Sequence, residues 1–144
     1  MRPIFEQRIT ASDSDIDELG HVNNAVWVQW IQIVAVAHWD AVADAAHHEA
    51  YFWVIVRHEI DYLRALMAEE SVTARTWVGE ASKVARIDRH MIFVGDDGKV
   101  RVKAKTQWAI IDKAAGRPIR VPADVIAPFL GVDASGADGA GSQP

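Results

Sequence analysis

A change of period midway along the chain limits the fold more than any other feature. From Asn24 to Asp44 the apolar residues Trp27, Trp30, Ile31 and Val34 fall at i, i+3, i+4 and i+7, which is helical spacing. Val26, Val28, Ile33 and Val36 fill the other faces, and a helix that is apolar nearly all round has to be buried. Beyond that helix the chain reads as strand. Tyr51 to Tyr62 is rich in β-formers, and Ser71 to Gly79 alternates Val72, Ala74, Thr76 and Val78 against Thr73, Arg75 and Trp77. Val84 to Val94 is a further long run, closed by the hairpin signal Asp96-Asp97-Gly98. Val100 to Ile111 then alternates Val102, Ala104, Thr106 and Trp108 with Arg101, Lys103, Lys105 and Gln107, one dry face and one wet face of an antiparallel strand. One long buried helix followed by about four antiparallel strands has a natural α+β solution, in which the sheet curls round the helix. A single sheet leaves the far side of such a helix poorly covered, and dimerisation that joins two sheets would cover it.

The remaining segments frame this unit. Residues 3 to 10 read as an edge strand leading into the acidic loop. Asn23 or Asn24 is a good N-cap, and His38, His47 and His48 lie toward the other end of the helix, where cations are favoured. Gly116-Arg117-Pro118 closes the strand region, and Pro122 to Leu130 reads as a short final helix. Residues 1–131 are expected to form one domain. Residues 132–144 carry no core residues and are expected to be disordered. There is no internal repeat.

Composition narrows the classes. Half of the 144 residues are hydrophobic, enough for one real core. A net charge of −5 gives no basic field for nucleic acid or anionic membrane. There is no cysteine, so disulfides and thiolate metal sites are excluded. The start has no apolar stretch before a small-residue cleavage site, and Gln29 and Gln32 interrupt the longest apolar run. A soluble, cytoplasmic protein is expected. His47, His48 and Glu49 look metal-like, but adjacent histidines on a helix point to different faces and no i, i+4 pair is present, so no metal site is expected.

Directly before the helix stands Asp15-Ile16-Asp17-Glu18-Leu19-Gly20-His21-Val22-Asn23-Asn24, with Trp27 three positions on. This stretch resembles the opening signature of the hotdog-fold thioesterases, in particular the 4-hydroxybenzoyl-CoA thioesterase-like group. The resemblance extends over residues 3 to 130 and includes the late segment from Asp112 through Gly116-Arg117-Pro118 to Pro122. It implies hydrolysis of an acyl-CoA thioester to a carboxylic acid and CoA, with no cofactor beyond the coenzyme A of the substrate. It also implies self-association as a dimer or tetramer.

The resemblance assigns the chemistry to Asp17, as nucleophile or as general base on a water; both routes stay open. The helix N-terminus would polarise the thioester carbonyl, with backbone N–H groups around Asn23 and Asn24 holding the oxyanion. Gly20 would let the backbone approach the substrate, and His21 would hold the loop in shape. Trp27 is a candidate for the acyl pocket as well as for the core, whereas Trp30 is expected in the core. Lys83 and Arg86 are candidates for coenzyme phosphates. Asp13 and Asp15 read as turn and capping residues.

Three departures from the family pattern matter. Trp27 stands where Tyr is common and has no hydroxyl, Gln32 stands where Glu is frequent, and Ala65-Leu66-Met67-Ala68-Glu69-Glu70 replaces a turn with Pro and then Gly-Asp. Two alternatives remain. An acyl-ACP thioesterase would need a basic docking surface, for which Arg101, Lys103 and Lys105 are the candidate row. A non-catalytic acyl- or CoA-binding hotdog protein would have no need of Asp17. The Asp-first order speaks against a hydratase.

Overall fold

A computed structural model describes residues 3–81 and 85–132. In chain order it contains β1 (Phe5–Thr10), a 3₁₀ turn (Asp13–Asp15), α1 (Asn24–Val42), α2 (Ala45–Ala50) and β2 (Tyr51–Tyr62). There follow β3 (Ser71–Ala81), β4 (Arg86–Gly95), β5 (Val100–Asp112), β6 (Arg117–Ile119) and α3 (Ala123–Leu130). The strands form one antiparallel sheet in the order β1-β3-β4-β5-β2, and β6 extends the β4 side of β5, pairing Ile119 with Ile110 where β4 has ended. This is the α+β arrangement expected from the change of period.

One face of the sheet wraps α1. The inward rows are Val72, Ala74, Thr76 and Val78 on β3, Ile87, Arg89, Met91 and Phe93 on β4, and Val102, Ala104, Thr106, Trp108 and Ile110 on β5, each spaced by two as a pleated strand requires. Against them α1 buries Trp27, Trp30, Ile31, Val34, Ala35, His38 and Trp39. The core falls into two clusters. One gathers Trp27, Trp30, Ile31 and Val34 with Met91 and Phe93 near the start of the helix, and the other gathers Ala35 and Trp39 with Ile87, Trp108 and Phe129 near its end. On the far side of α1, Ile33 and Val36 remain about half exposed within the single chain.

The structure corrects four readings. The long helix stops at Val42, because Ala43 is extended and the Asp44 carboxylate accepts the His47 N–H at 2.8 Å, capping a separate helix α2 that carries His47 and His48. His38 is no cation at a helix end. It lies one turn after Val34 on the inward face, is buried, stacks on Phe5 and meets Phe129 edge-on. Arg101 does not belong to a wet face: it folds over Gly95 and chelates Asp97 through two contacts of 2.9 and 3.1 Å. That pairing pulls the Asp97 carboxyl down to about 2. Finally, Arg117-Pro118-Ile119 forms a short strand of its own; Pro118 is tolerated there because β6 is a three-residue edge. The tail beyond residue 132 and Val84 at the expected strand start lie outside the described residues.

Candidate active site

The acidic loop is a small hairpin. Ile16 and Val22 form a bridge, the Asp17 N–H donates to the His21 carbonyl at 2.9 Å, and the Gly20 N–H returns to the Asp17 carbonyl at 3.0 Å. Gly20 has φ +82°, a left-handed conformation that glycine adopts without strain, and this is its demonstrable role. The loop is fastened to the turn after β2. The Val22 N–H donates to the carbonyl of the fully buried Leu66 at 2.8 Å, and His21 bridges to Met67. His21 therefore supports the loop through its backbone.

Within this hairpin Asp17 is half-buried. One carboxylate oxygen, Oδ1, accepts the N–H of Leu19 at 2.9 Å and that of His21 at 3.4 Å, an Asx-type turn that fixes the rotamer. The other oxygen, Oδ2, makes no hydrogen bond with any described residue. The neighbouring acid is used differently. Asp15 accepts from the N–H and hydroxyl of Ser12 at 2.9 and 3.0 Å, closing the 3₁₀ turn.

At the mouth of α1, Asn23 is the N-cap, its Oδ1 accepting the Ala25 N–H at 2.8 Å. Its own N–H is committed to the Asp15 carbonyl at 2.9 Å, which removes Asn23 from the pair of backbone donors expected for an oxyanion. The Val26 and Trp27 N–H groups turn back to the Asn23 carbonyl. Asn24 is left as the residue of this turn whose N–H has no partner among the described residues.

These residues meet in one cleft of about 420 Å³, lined by Asp17, His21, Asn23, Asn24 and Trp27 together with Tyr62, Leu63 and Arg64. Trp27 forms the floor. It is 2% exposed and sits edge-on to Trp30 and Phe93, so it serves core and cleft at once. Gly20 stands in the turn just beyond. The last three residues, at the end of β2 and just after it, are site residues that sequence reasoning missed. Tyr62 brings a phenol to the cleft and donates to the Asn24 carbonyl at 3.2 Å. Arg64 brings a cation, and Leu19 and Leu63, 72% and 52% exposed, form an apolar lip. Their signal is a position opposite Val102 at the end of β2, which needs the strand register and cannot be read from spacing alone.

The two coenzyme candidates are not gathered here. Lys83 lies outside the described residues. Arg86 is exposed at the start of β4 opposite Ala109, whereas Tyr62 stands opposite Val102, so within one chain Arg86 is about 23 Å along the sheet from the cleft. The described residues contain no cluster of three or more His, Asp or Glu side chains placed to hold a metal, and no described helix is long and apolar enough to cross a membrane.

The sequence pattern of the thioesterase-like superfamily matches residues 12–129, from the acidic loop to the end of α3. Curated proteins offer no match. Among solved structures, a thioesterase of Thermus thermophilus complexed with coenzyme A and Zn is 21% identical, with a TM-score of 0.76 over 90% of this chain and 98% of its own. The DHNA-CoA thioesterase of Staphylococcus aureus is 16% identical, with a TM-score of 0.71 over 81% of this chain and 80% of its own. A Lactobacillus plantarum protein provisionally assigned as an oleoyl thioesterase is 16% identical, with a TM-score of 0.79 over 89% of this chain, which spans only about half (51%) of that protein's length. At such identities the likeness establishes the fold, a hotdog α+β sheet around one helix.

Proposed function

Because the chain belongs to the thioesterase-like superfamily, we propose that it hydrolyses an acyl-CoA thioester, with Asp17 as the reacting carboxylate. The observation that carries this reading is the cleft that joins the free oxygen of Asp17 to the uncommitted Asn24 N–H at the head of a 19-residue helix. As a thioester carbonyl is attacked, negative charge grows on its oxygen. A backbone N–H at the positive end of a helix stabilises that charge without having to reorganise.

Asp17 acts in one of two ways. As general base it takes a proton from a water whose oxygen bonds to the acyl carbon; the C–S bond then breaks and the proton leaves with the thiol. As nucleophile it bonds to the acyl carbon itself, expels the thiol and yields a mixed anhydride that water cleaves. The products are the same. Arg64 in the cleft supports a phosphate-bearing thiol carrier, and the Leu19–Leu63 lip supports an apolar stretch of substrate.

The basic row considered for a carrier protein is thinned. Arg101 is 7% exposed and bound to Asp97, and Lys105 stands 3.7 Å from Asp88, which leaves Lys103 as the exposed, unpaired cation of that row. We also propose self-association. In the single chain β2 is an edge strand with Phe52 and Val56 exposed, and the outer face of α1 shows Ile33 and Val36. A second copy joining at β2 would cover both.

The test is thiol release from aliphatic and aromatic acyl-CoAs beside the same acyl groups on carrier protein, with mass measured by light scattering. Turnover of CoA substrates by a dimer or larger assembly supports the reading. Release from carrier-protein thioesters alone moves the activity to the second class. Saturable binding without release from either makes the chain a binding protein.

A further inference from the structure

The middle of the sheet's inner face carries a charge. In the inward row Ile87, Arg89, Met91, Phe93 of β4, Arg89 is 4% exposed. Its Nη1 donates to Nδ1 of His38 at 2.9 Å and to Oγ1 of Thr76 at 3.0 Å. The guanidinium carbon stands 5.9 Å from the ring centre of Trp108 and 5.8 Å from that of Phe129. No described carboxylate is paired with it. A guanidinium has five N–H donors, and both on Nη1 are spent. The donor on Nε is buried without a partner, and Nη2 makes no hydrogen bond with a described residue. A buried cation left in this state is costly unless something completes it.

Beside the guanidinium is a cavity of about 230 Å³ between α1 and the sheet, lined among others by Gln32, Trp39, Phe52, Arg89 and Trp108. It shares no lining residue with the Asp17 cleft, and Gln32 lies two turns, about 12 Å, along α1 from Asn24. In the single chain Val36 and Phe52, both a little under half exposed, flank its opening, and a second copy joining at β2 would lie over this mouth. An apolar cavity of ~150 Å³ admits benzene, so this one has room for a ring or a short chain together with a carboxylate.

We propose that this cavity is a carboxylate-binding site, in which Nη2 of Arg89 holds the carboxylate of a compact apolar acid whose hydrocarbon body fills the space beside Trp39 and Trp108. A guanidinium N–H donates to a carboxylate in a charge-assisted hydrogen bond, about twice as strong as one between neutral groups. A lone cation inside apolar walls matches one negative charge on an apolar body better than it matches a strongly hydrated dianion. The acid is a free carboxylic acid, and the site does not rest on the hydrolase reading.

The probes are benzoate and hexanoate beside benzamide and hexanamide, titrated into the wild-type protein and followed by tryptophan fluorescence, since Trp39, Trp53 and Trp108 line the cavity. Saturable binding of the acids, at least tenfold tighter than the amides and weakened at least tenfold by Arg89→Met, is expected. Should Arg89→Met not fold, Ala35→Leu fills the cavity from the helix with Arg89 intact and is expected to abolish acid binding. Equal binding of acid and amide, acid binding retained in Arg89→Met or Ala35→Leu, or no saturation at 10 mM or so overturns the site.

Discussion

The phenol of Tyr62 donates to the carbonyl of Asn24 at 3.2 Å, tying the last residue of β2 to the first residue of α1. Trp27 has no hydroxyl to offer in this cleft, and Tyr62 supplies one from another element. The bond holds the residue whose N–H is free to meet an oxyanion. Tyr62→Phe is expected to cost no more than about 1 kcal/mol in a urea melt, because the pair is partly exposed. It should lower thioester turnover by up to ~10-fold, chiefly in kcat.

The Asn23 cap makes a separable prediction. Asn23→Ala removes the acceptor of the Ala25 N–H and should cost about 1 kcal/mol, while Asn23→Ser keeps an acceptor and should stay within a few tenths. Turnover should follow the same order, since a frayed first turn no longer aligns the Asn24 N–H. Urea midpoints and steady-state rates on the three proteins check both halves.

His38 gives a pH dependence. Burial first, and the neighbouring Arg89 charge second, push its pKa from 6.5 down to about 3. The unfolded chain takes up a proton as pH falls through 6.5, whereas the folded chain does not until about 3. Stability is therefore complete above 6.5 and is lost between 6.5 and 3, by up to about 1.4 kcal/mol per pH unit. His38→Gln keeps an acceptor for Arg89 and removes the titration, so its urea midpoint should fall less steeply with acid than that of the wild type.

Glu69 occupies the left-handed region at φ 68°, the one non-glycine residue to do so among those described. A Cβ there costs roughly 1–2 kcal/mol, and the added freedom of glycine in the unfolded chain offsets part of the relief. Glu69→Gly should stabilise the protein by about 0.5–1 kcal/mol in thermal or urea melts, with turnover unchanged.

Much of this fold could be read in advance because burial writes itself as period. The α1 stripe and the alternation along β3 and β5 each follow from one face meeting the core, and Asn23 announced itself as a cap. What escaped were residues whose role depends on a partner far away in the chain. Arg101 alternates with the wet residues, yet Asp97 and Gly95 across the hairpin draw it in. Tyr62 and Arg64 reach the cleft only because β2 pairs with β5, ending opposite Val102. Arg89 is spaced with Ile87, Met91 and Phe93, so its inward position was legible. Its charge argued for solvent, and only the contacts with His38 and Thr76 show how the core accommodates it. The loop of Asp17 was recognised as a motif; its internal hydrogen bonds, and the commitment of the Asn23 N–H to Asp15, needed coordinates.

The most direct test of the central claim is the rate of thiol release by wild type and Asp17→Asn on the best acyl-CoA substrate. Asparagine keeps an oxygen for the Leu19 N–H, so the loop and the urea midpoint should be preserved while the reacting carboxylate is lost. Turnover is expected to fall by ~10²-fold or more, the scale of a positioned base or nucleophile. Equal turnover by the two proteins, both folded, would contradict the assignment of Asp17 and with it the proposed mechanism.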